Sequence, residues 1–199
     1  NQKSSMEKTI YLGCDPGKDG FFTAFDGANF TFYAMPEHKV ETGELLKSGK
    51  PQMKTEFHEN GFRNLVLQIA QDFPNCSFKG VMEEVTGRHG WSAQNNFTFG
   101  HTAGLQKMVY IMLGAEITMV KPQKWQSYIR QGYPDIRKKS SSGKTMVSDP
   151  KAIAEMIVQK EYPNIDFRKT ERAKVNHDGK IDSFLICLYG IRRDKQNLK

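Results

Sequence analysis

Tyr11-Leu12-Gly13-Cys14-Asp15-Pro16-Gly17 is an apolar run that ends on a carboxylate and a tight turn. Thr9–Cys14 has the composition of a buried strand, and Pro16-Gly17 stops it, which places Asp15 at the C-terminal edge of a sheet. Asp-Pro-Gly alone is an ordinary turn, so the surroundings decide what it means. Two more β-rich runs follow, Phe21–Phe25 and Asn29–Met35, separated by Asp26-Gly27 as in a meander of adjacent strands. Phe62, Leu65, Ile69 and Phe73 recur at helical spacing across Gly61–Phe73. Phe78–Val85 reads as a strand, proline-free Ser92–Leu113 as a helix weakened by Gly100 and Gly104, and Glu116–Val120 as a strand stopped by Pro122. Asp149-Pro150 supplies an N-cap and a first-turn proline for a helix through Lys160. The last helix is expected from about Asp178 to Arg193, with Ile181, Phe184, Leu185, Leu188 and Tyr189 facing inward. Strands first, then strands alternating with helices, predict an α/β fold with a mixed sheet flanked by helices. The polar stretches Glu37–Glu56 and Gln131–Ser148 are expected to be loops, the second a mobile one, and no internal repeat is visible.

The chain of 199 residues is long enough for one well-filled core, expected over residues 6–199, while Asn1–Ser5 before Met6 read as a cloning remnant. Hydrophobic residues make up 38% and charged residues 26%, as in ordinary globular proteins. No apolar run approaches the roughly 18 residues of a membrane span, and no signal peptide is visible. Three cysteines, Cys14, Cys76 and Cys187, are too far apart for a CxxC pair. A reduced, cytoplasmic setting without disulfides or zinc is therefore expected. The net charge of +7 is concentrated. Lys121–Lys174 holds 13 Lys/Arg against 6 Asp/Glu, a surplus equal to that of the whole chain. Clustered cations of this kind most often neutralise phosphates, which points to nucleic acid. Lys18, Lys121, Lys124, Arg137, Lys138, Lys139 and Lys144 are the candidate contacts.

Three acidic elements can carry chemistry. Asp15 closes the first strand. Glu83 and Glu84 adjoin each other in Gly80-Val81-Met82-Glu83-Glu84-Val85, and strand alternation points them to opposite faces, so only one can share a site with Asp15. Asp178 and Asp182 are four residues apart and lie on one face of the last helix, at its first turn. Helix capping explains one such acid more readily than both. Convergent carboxylates without softer ligands suit hard Mg²⁺, with Mn²⁺ as a substitute. Two such ions about 3.5–4 Å apart can clamp both oxygens of a phosphodiester displacement.

These residues resemble the RuvC-type Holliday junction resolvases, within the ribonuclease H-like nucleases. Gly13-Cys14-Asp15-Pro16-Gly17 is similar to the family's Gly-x-Asp-Pro-Gly on the first strand, and Val81-Met82-Glu83-Glu84-Val85 to the strand bearing the catalytic glutamate, in a register that selects Glu83. Asp182-Ser183-Phe184-Leu185 resembles the start of the final helix. Bacterial members usually carry the fourth ligand three residues before the last aspartate, and Gly179 stands there. Asp178 takes that role by resemblance to the mitochondrial resolvases of yeasts, with His177 as a substitute ligand. Phe97-Thr98-Phe99-Gly100 and Val120-Lys121-Pro122-Gln123-Lys124-Trp125 are similar in style to phage-encoded members. The resemblance implies a ribonuclease H-like sheet and a magnesium-dependent endodeoxyribonuclease with two ions on Asp15, Glu83, Asp178 and Asp182. The implied substrate is a four-way or other branched DNA junction, resolved by paired nicks. Gly100-His101-Thr102-Ala103-Gly104 resembles the family's interface helix and implies a homodimer, although packing of these small residues on the sheet explains them equally well.

Other signals are weaker. Ser142-Gly143-Lys144-Thr145 ends like a P-loop, but Lys138 stands where the Walker pattern needs glycine, so no nucleotide cofactor is expected. His38, His58, His89, His101 and His177 lack metal-ligand spacing. Trp91, Phe97 and Phe99 fit core or interface packing better than stacking on bases, and Trp125 fits a core anchor at a helix start. A sugar kinase or other phosphotransferase of the actin-like class also opens with an Asp and glycine turns, but the second phosphate loop of that class is missing here. A junction- or RNA-binding protein that keeps the fold without cleavage is the non-enzymatic alternative.

Overall fold

Thr9–Cys14 forms the central strand β1, flanked by Phe21–Phe25 (β2) and Phe30–Ala34 (β3) on one side and by Ser77–Glu83 (β6) and Glu116–Val120 (β7) on the other. The five strands run in the order β3-β2-β1-β6-β7. β1, β2 and β3 are antiparallel neighbours, while β1, β6 and β7 run parallel. This computed structural model describes residues 8–87 and 89–197, so Asn1–Ser5 lie outside the described residues. Helices α1 (Glu59–Asp72) and α2 (Ala93–Met112) cover one face, burying Phe62, Leu65, Val66, Ile69, Val109 and Tyr110 against β1 and β6. The other face carries α3 (Pro122–Ile129), α4 (Pro150–Glu161) and α5 (Asp178–Asn197). No helix among the described residues is long and apolar enough to cross a membrane.

α5 explains the packing. Ile181, Phe184, Leu185, Leu188 and Tyr189 are buried as expected, and so are Ile186, Cys187 and Ile191. A helix apolar on nearly all sides belongs inside, between sheet and outer helices. It comes so close to β1 that a Cβ on Gly13 would lie 2.4 Å from the Cys187 nitrogen and 2.6 Å from the Ser183 oxygen. Both obstacles are backbone and cannot swing away. Ser183 also needs to be small and polar, because its hydroxyl lies 2.7 Å from that of Thr23 in the buried contact with β2. Gly13→Ala should therefore cost about 1–3 kcal/mol or more through overpacking. A denaturant titration checks this, and an unchanged midpoint would mean that α5 does not seat on Gly13.

Two stretches expected to be loops are hairpins. Glu37–Leu45 (β4) pairs antiparallel with Pro51–Phe57 (β5), and Arg137–Lys139 (β8) with Met146–Ser148 (β9). Neither has a buried apolar face, so the alternation that marks a core strand is missing from the sequence. Cross-strand backbone hydrogen bonding holds them instead.

Candidate active site

The parallel register of β1 and β6 brings the first two acids together. The last paired residues are Cys14 and Met82, and one step beyond each comes Asp15 and Glu83. Both line one cleft at the strand ends, together with Asp178 and Asp182 from the first turn of α5. Glu84 does not line it, and its backbone nitrogen donates to the Val120 oxygen.

The turn after Asp15 is held from α2. The buried amide of Gln106 donates through Nε2 to the Gly17 oxygen at 3.0 Å and accepts from the Gly17 nitrogen at 3.3 Å. Gly17 has a φ of 146°, which suits glycine. At Gly20 a Cβ would lie 2.0 Å from the Asp15 oxygen. The turn thus closes tightly behind the carboxylate. Glu83 is positioned from α3, where the indole Nε1 of buried Trp125 donates to its Oε2 at 2.7 Å. Trp125 is therefore a core anchor, as expected, and also a partner of the site.

Gly179 has a steric reason. A Cβ there would lie 2.4 Å from the Asp19 oxygen and 3.2 Å from Asp15 Oδ2, so the helix start presses on the Asp15 turn and leaves no room for a side chain. Asp178, one residue earlier, is exposed and ion-paired with Lys151. His177 also lines the cleft. Its Nδ1 is buried without a hydrogen bond among the described residues, its ring meets Phe21 edge-on, and burial holds its pKa below the usual range.

Asp182 carries the clearest electrostatic signature. Burial raises its carboxyl to about 7, and the negative charges of Glu83 and Asp178 add to this, against the opposing pull of Lys151 and Arg130. Such a site has a surplus of negative charge that a cation would relieve. The donor set, all carboxylate oxygen, suits a hard divalent ion. No group of three or more His, Cys, Asp or Glu among the described residues is drawn into metal-holding distance. By charge and donor chemistry the residues fit such an ion, with Trp125 holding Glu83 and Lys151 holding Asp178.

Solved structures are similar to this chain over most of its length. The yeast mitochondrial Holliday junction resolvase Ydc2 is similar with a TM-score of 0.50 and 14% identity, over 96% of this chain and 80% of that one. The chain has a ribonuclease H-like fold. Thermus thermophilus RuvC is similar over 93% of this chain and 96% of its own, at 12% identity and a TM-score of 0.45. The same protein in complex with a Holliday junction substrate is similar over 94% and 96%, at 9% identity and a TM-score of 0.47. No family model and no curated relative matches the sequence.

Of the cations singled out in the sequence, Lys18 lines the cleft, and its ammonium donates to the Thr55 oxygen. Lys121, Lys124, Arg137, Lys138, Lys139 and Lys144 are exposed but lie outside the cleft lining. Arg137 and Lys138 pair with Asp135 and Asp149. Lys151 and Gln106 were not legible as site residues. Asp149-Pro150 placed Lys151 at a helix start, but only tertiary contact reveals its partner. Trp91 and Phe99 meet edge-on along the cleft, whereas Phe97 is 71% exposed and belongs to no core.

Proposed function

We propose that this chain is a magnesium-dependent endonuclease that resolves four-way and other branched DNA junctions. The observation that carries the reading is the meeting of Asp15, Glu83, Asp178 and Asp182 in one cleft at the ends of two parallel strands. These four carboxylates would hold the ions, with Mn²⁺ able to replace Mg²⁺. When bound, the ions supply an activated water and neutralise charge on the attacking and leaving oxygens of the phosphodiester. The chain's own contribution is positional. Gln106 fixes the turn behind Asp15, Trp125 fixes the Glu83 carboxylate, and Gly13 lets α5 bring Asp182 to them. Lys18 and Lys151 place positive charge in the cleft for the phosphates on either side of the scissile bond. The exposed cations Lys121, Lys124, Arg137, Lys138, Lys139 and Lys144 would steer more distant phosphates without reading bases.

A homodimer fits a substrate with two-fold symmetry, because two cleft copies can nick two strands of like polarity. The outer face of α2 supports it. Phe97, Met108 and Ile111 are exposed at helical spacing, and a Cβ on Gly100 or Gly104 between them would meet no other element among the described residues within 4 Å. Packing on the sheet therefore does not explain these glycines, and an open apolar stripe with small residues admits a second helix closely.

Incubating the protein with an end-labelled four-way junction, the corresponding duplex and a single strand, with and without Mg²⁺, tests the reading. Metal-dependent nicks confined to the junction are expected. Binding without nicking would leave the fold as a binding module, and ATP turnover without cleavage would indicate a phosphotransferase. A finer check concerns Trp125. Trp125→Phe keeps the ring in the core but removes the donor to Glu83, and loss of such outer hydrogen bonds costs about 10–100-fold in metal affinity or activity. The Mg²⁺ concentration for half-maximal cleavage should rise accordingly at unchanged junction affinity. An unchanged metal requirement would show that the indole only packs.

A further inference from the structure

The β4–β5 hairpin lies outside the sheet, and its strands pack chiefly on each other. Two-stranded hairpins are marginal alone in water, so the attachment of this one is informative. Its base is fastened beside the cleft: Lys169 pairs with Glu37, Lys18 donates to the Thr55 oxygen, and the Phe57 ring lies 6.1 Å from that of Phe62. Thr55, Glu56 and Phe57 line the same cleft as Asp15. Nine residues of β4, at about 3.3 Å each, carry the far end roughly 25 Å from that base.

The far end differs from the rest. From Leu45 to Gln52 the sequence is Leu-Leu-Lys-Ser-Gly-Lys-Pro-Gln, with two lysines, Lys47 and Lys50, and no acid beyond Glu44 at its edge. The turn is closed by the Leu46 nitrogen donating to the Lys50 oxygen at 2.8 Å, with Gly49 at a φ of 76°. Leu45 is 71% exposed, Leu46 48% and Met53 47%, although hairpin tips are ordinarily polar. Lys47 and Lys50 are exposed beside them. A basic, apolar tip on an arm rooted at a carboxylate cleft suits a polyanion that also offers apolar base faces. Apolar side chains do wedge between base steps, and a two-stranded ribbon has the width of a major groove.

Resting on the reading of the cleft as a DNA site, we infer that the β4–β5 hairpin is a second DNA-binding element. Lys47 and Lys50 contact phosphates, and Leu45 and Leu46 press on the unstacked bases at the branch point. It is separate from the basic residues of the β8–β9 region, and it sets the preference for branched over linear DNA.

The test is fluorescence anisotropy on the full chain with a four-way junction and a matched duplex, in EDTA to prevent cleavage, across a salt series. Each lost phosphate contact lowers the log–log salt slope by roughly 0.9. K47A/K50A should therefore lose about 1.8 from the slope on both DNAs. L45S/L46S should keep its slope but lose the preference for the junction, and 2-aminopurine at the branch point should brighten less than with the wild-type protein. If either double variant binds as the wild-type protein does, the assignment is wrong. A change of oligomeric state in L45S/L46S at unchanged DNA binding would make the tip a contact between copies and also overturn it. Wild-type protein that binds no branched DNA would fail the nuclease reading first and this inference with it. The substituted residues are all exposed, and circular dichroism of each variant confirms that the sheet is intact.

Discussion

Asp15→Asn, Glu83→Gln and Asp182→Asn should each abolish nicking while junction binding persists or strengthens. Amides keep the size of the carboxylate but are poor ligands for a hard cation. They also remove a negative charge from a cleft that must accept phosphate. Loss of an outer hydrogen bond at a metal site already costs about 10–100-fold, so loss of a ligand should exceed about 100-fold. Asp178→Asn should be milder, because Asp178 is exposed and shared with Lys151. It should raise the Mg²⁺ requirement, with partial rescue by Mn²⁺. Cleavage and binding measured on the same junction check all four. Normal cutting by Glu83→Gln and a dead Glu84→Gln would place the site on the other face of β6, against the register seen here.

The second large effect concerns stability. The Asp182 carboxyl is raised to about 7, chiefly by burial and then by Glu83 and Asp178. A carboxyl with a raised folded-state pKa favours folding in its protonated form. Its contribution is complete below the unfolded value of about 3.9 and is lost as pH rises through about 7. The metal-free protein should therefore lose stability between those limits. Asp182→Asn should flatten that part of the profile and be more stable than wild type at pH 8. Each kcal/mol shifts Tm by about 2–4 °C in a domain of this size, which thermal unfolding resolves readily. Mg²⁺ favours the ionised carboxylate, so it should restore wild-type stability at pH 8 and do little for Asp182→Asn. A parallel pH profile of the two proteins without metal would mean that Asp182 is not strained by its neighbours.

What could be read without coordinates follows from periodicity. β1, β2 and β6 carry apolar runs because helices cover both faces of the sheet there, and α1 carries helical spacing because one of its faces packs on the sheet. Asp15, the pair Glu83 and Glu84, Asp178 and Asp182 are conspicuous as acids at the ends of apolar elements, whereas the choice of Glu83 and of Asp178 as fourth ligand rests on the family resemblance. The hairpins were not, since β4, β5, β8 and β9 bury no face and their glycines and Pro51 read as breakers. Gln106 and Trp125 look like helix and core residues in sequence. Their roles depend on partners 89 and 42 positions away, which only the assembled fold brings into contact.

A supercoiled plasmid that extrudes a cruciform tests the central claim most directly. Two coordinated nicks across the junction release a linear product in one encounter, whereas a single nick relaxes the plasmid and the cruciform is reabsorbed. With Mg²⁺, the wild-type protein should give linear DNA cut at the cruciform base, and Glu83→Gln should give none. Nicked circles alone, or intact plasmid from a protein that binds the cruciform, would contradict the account.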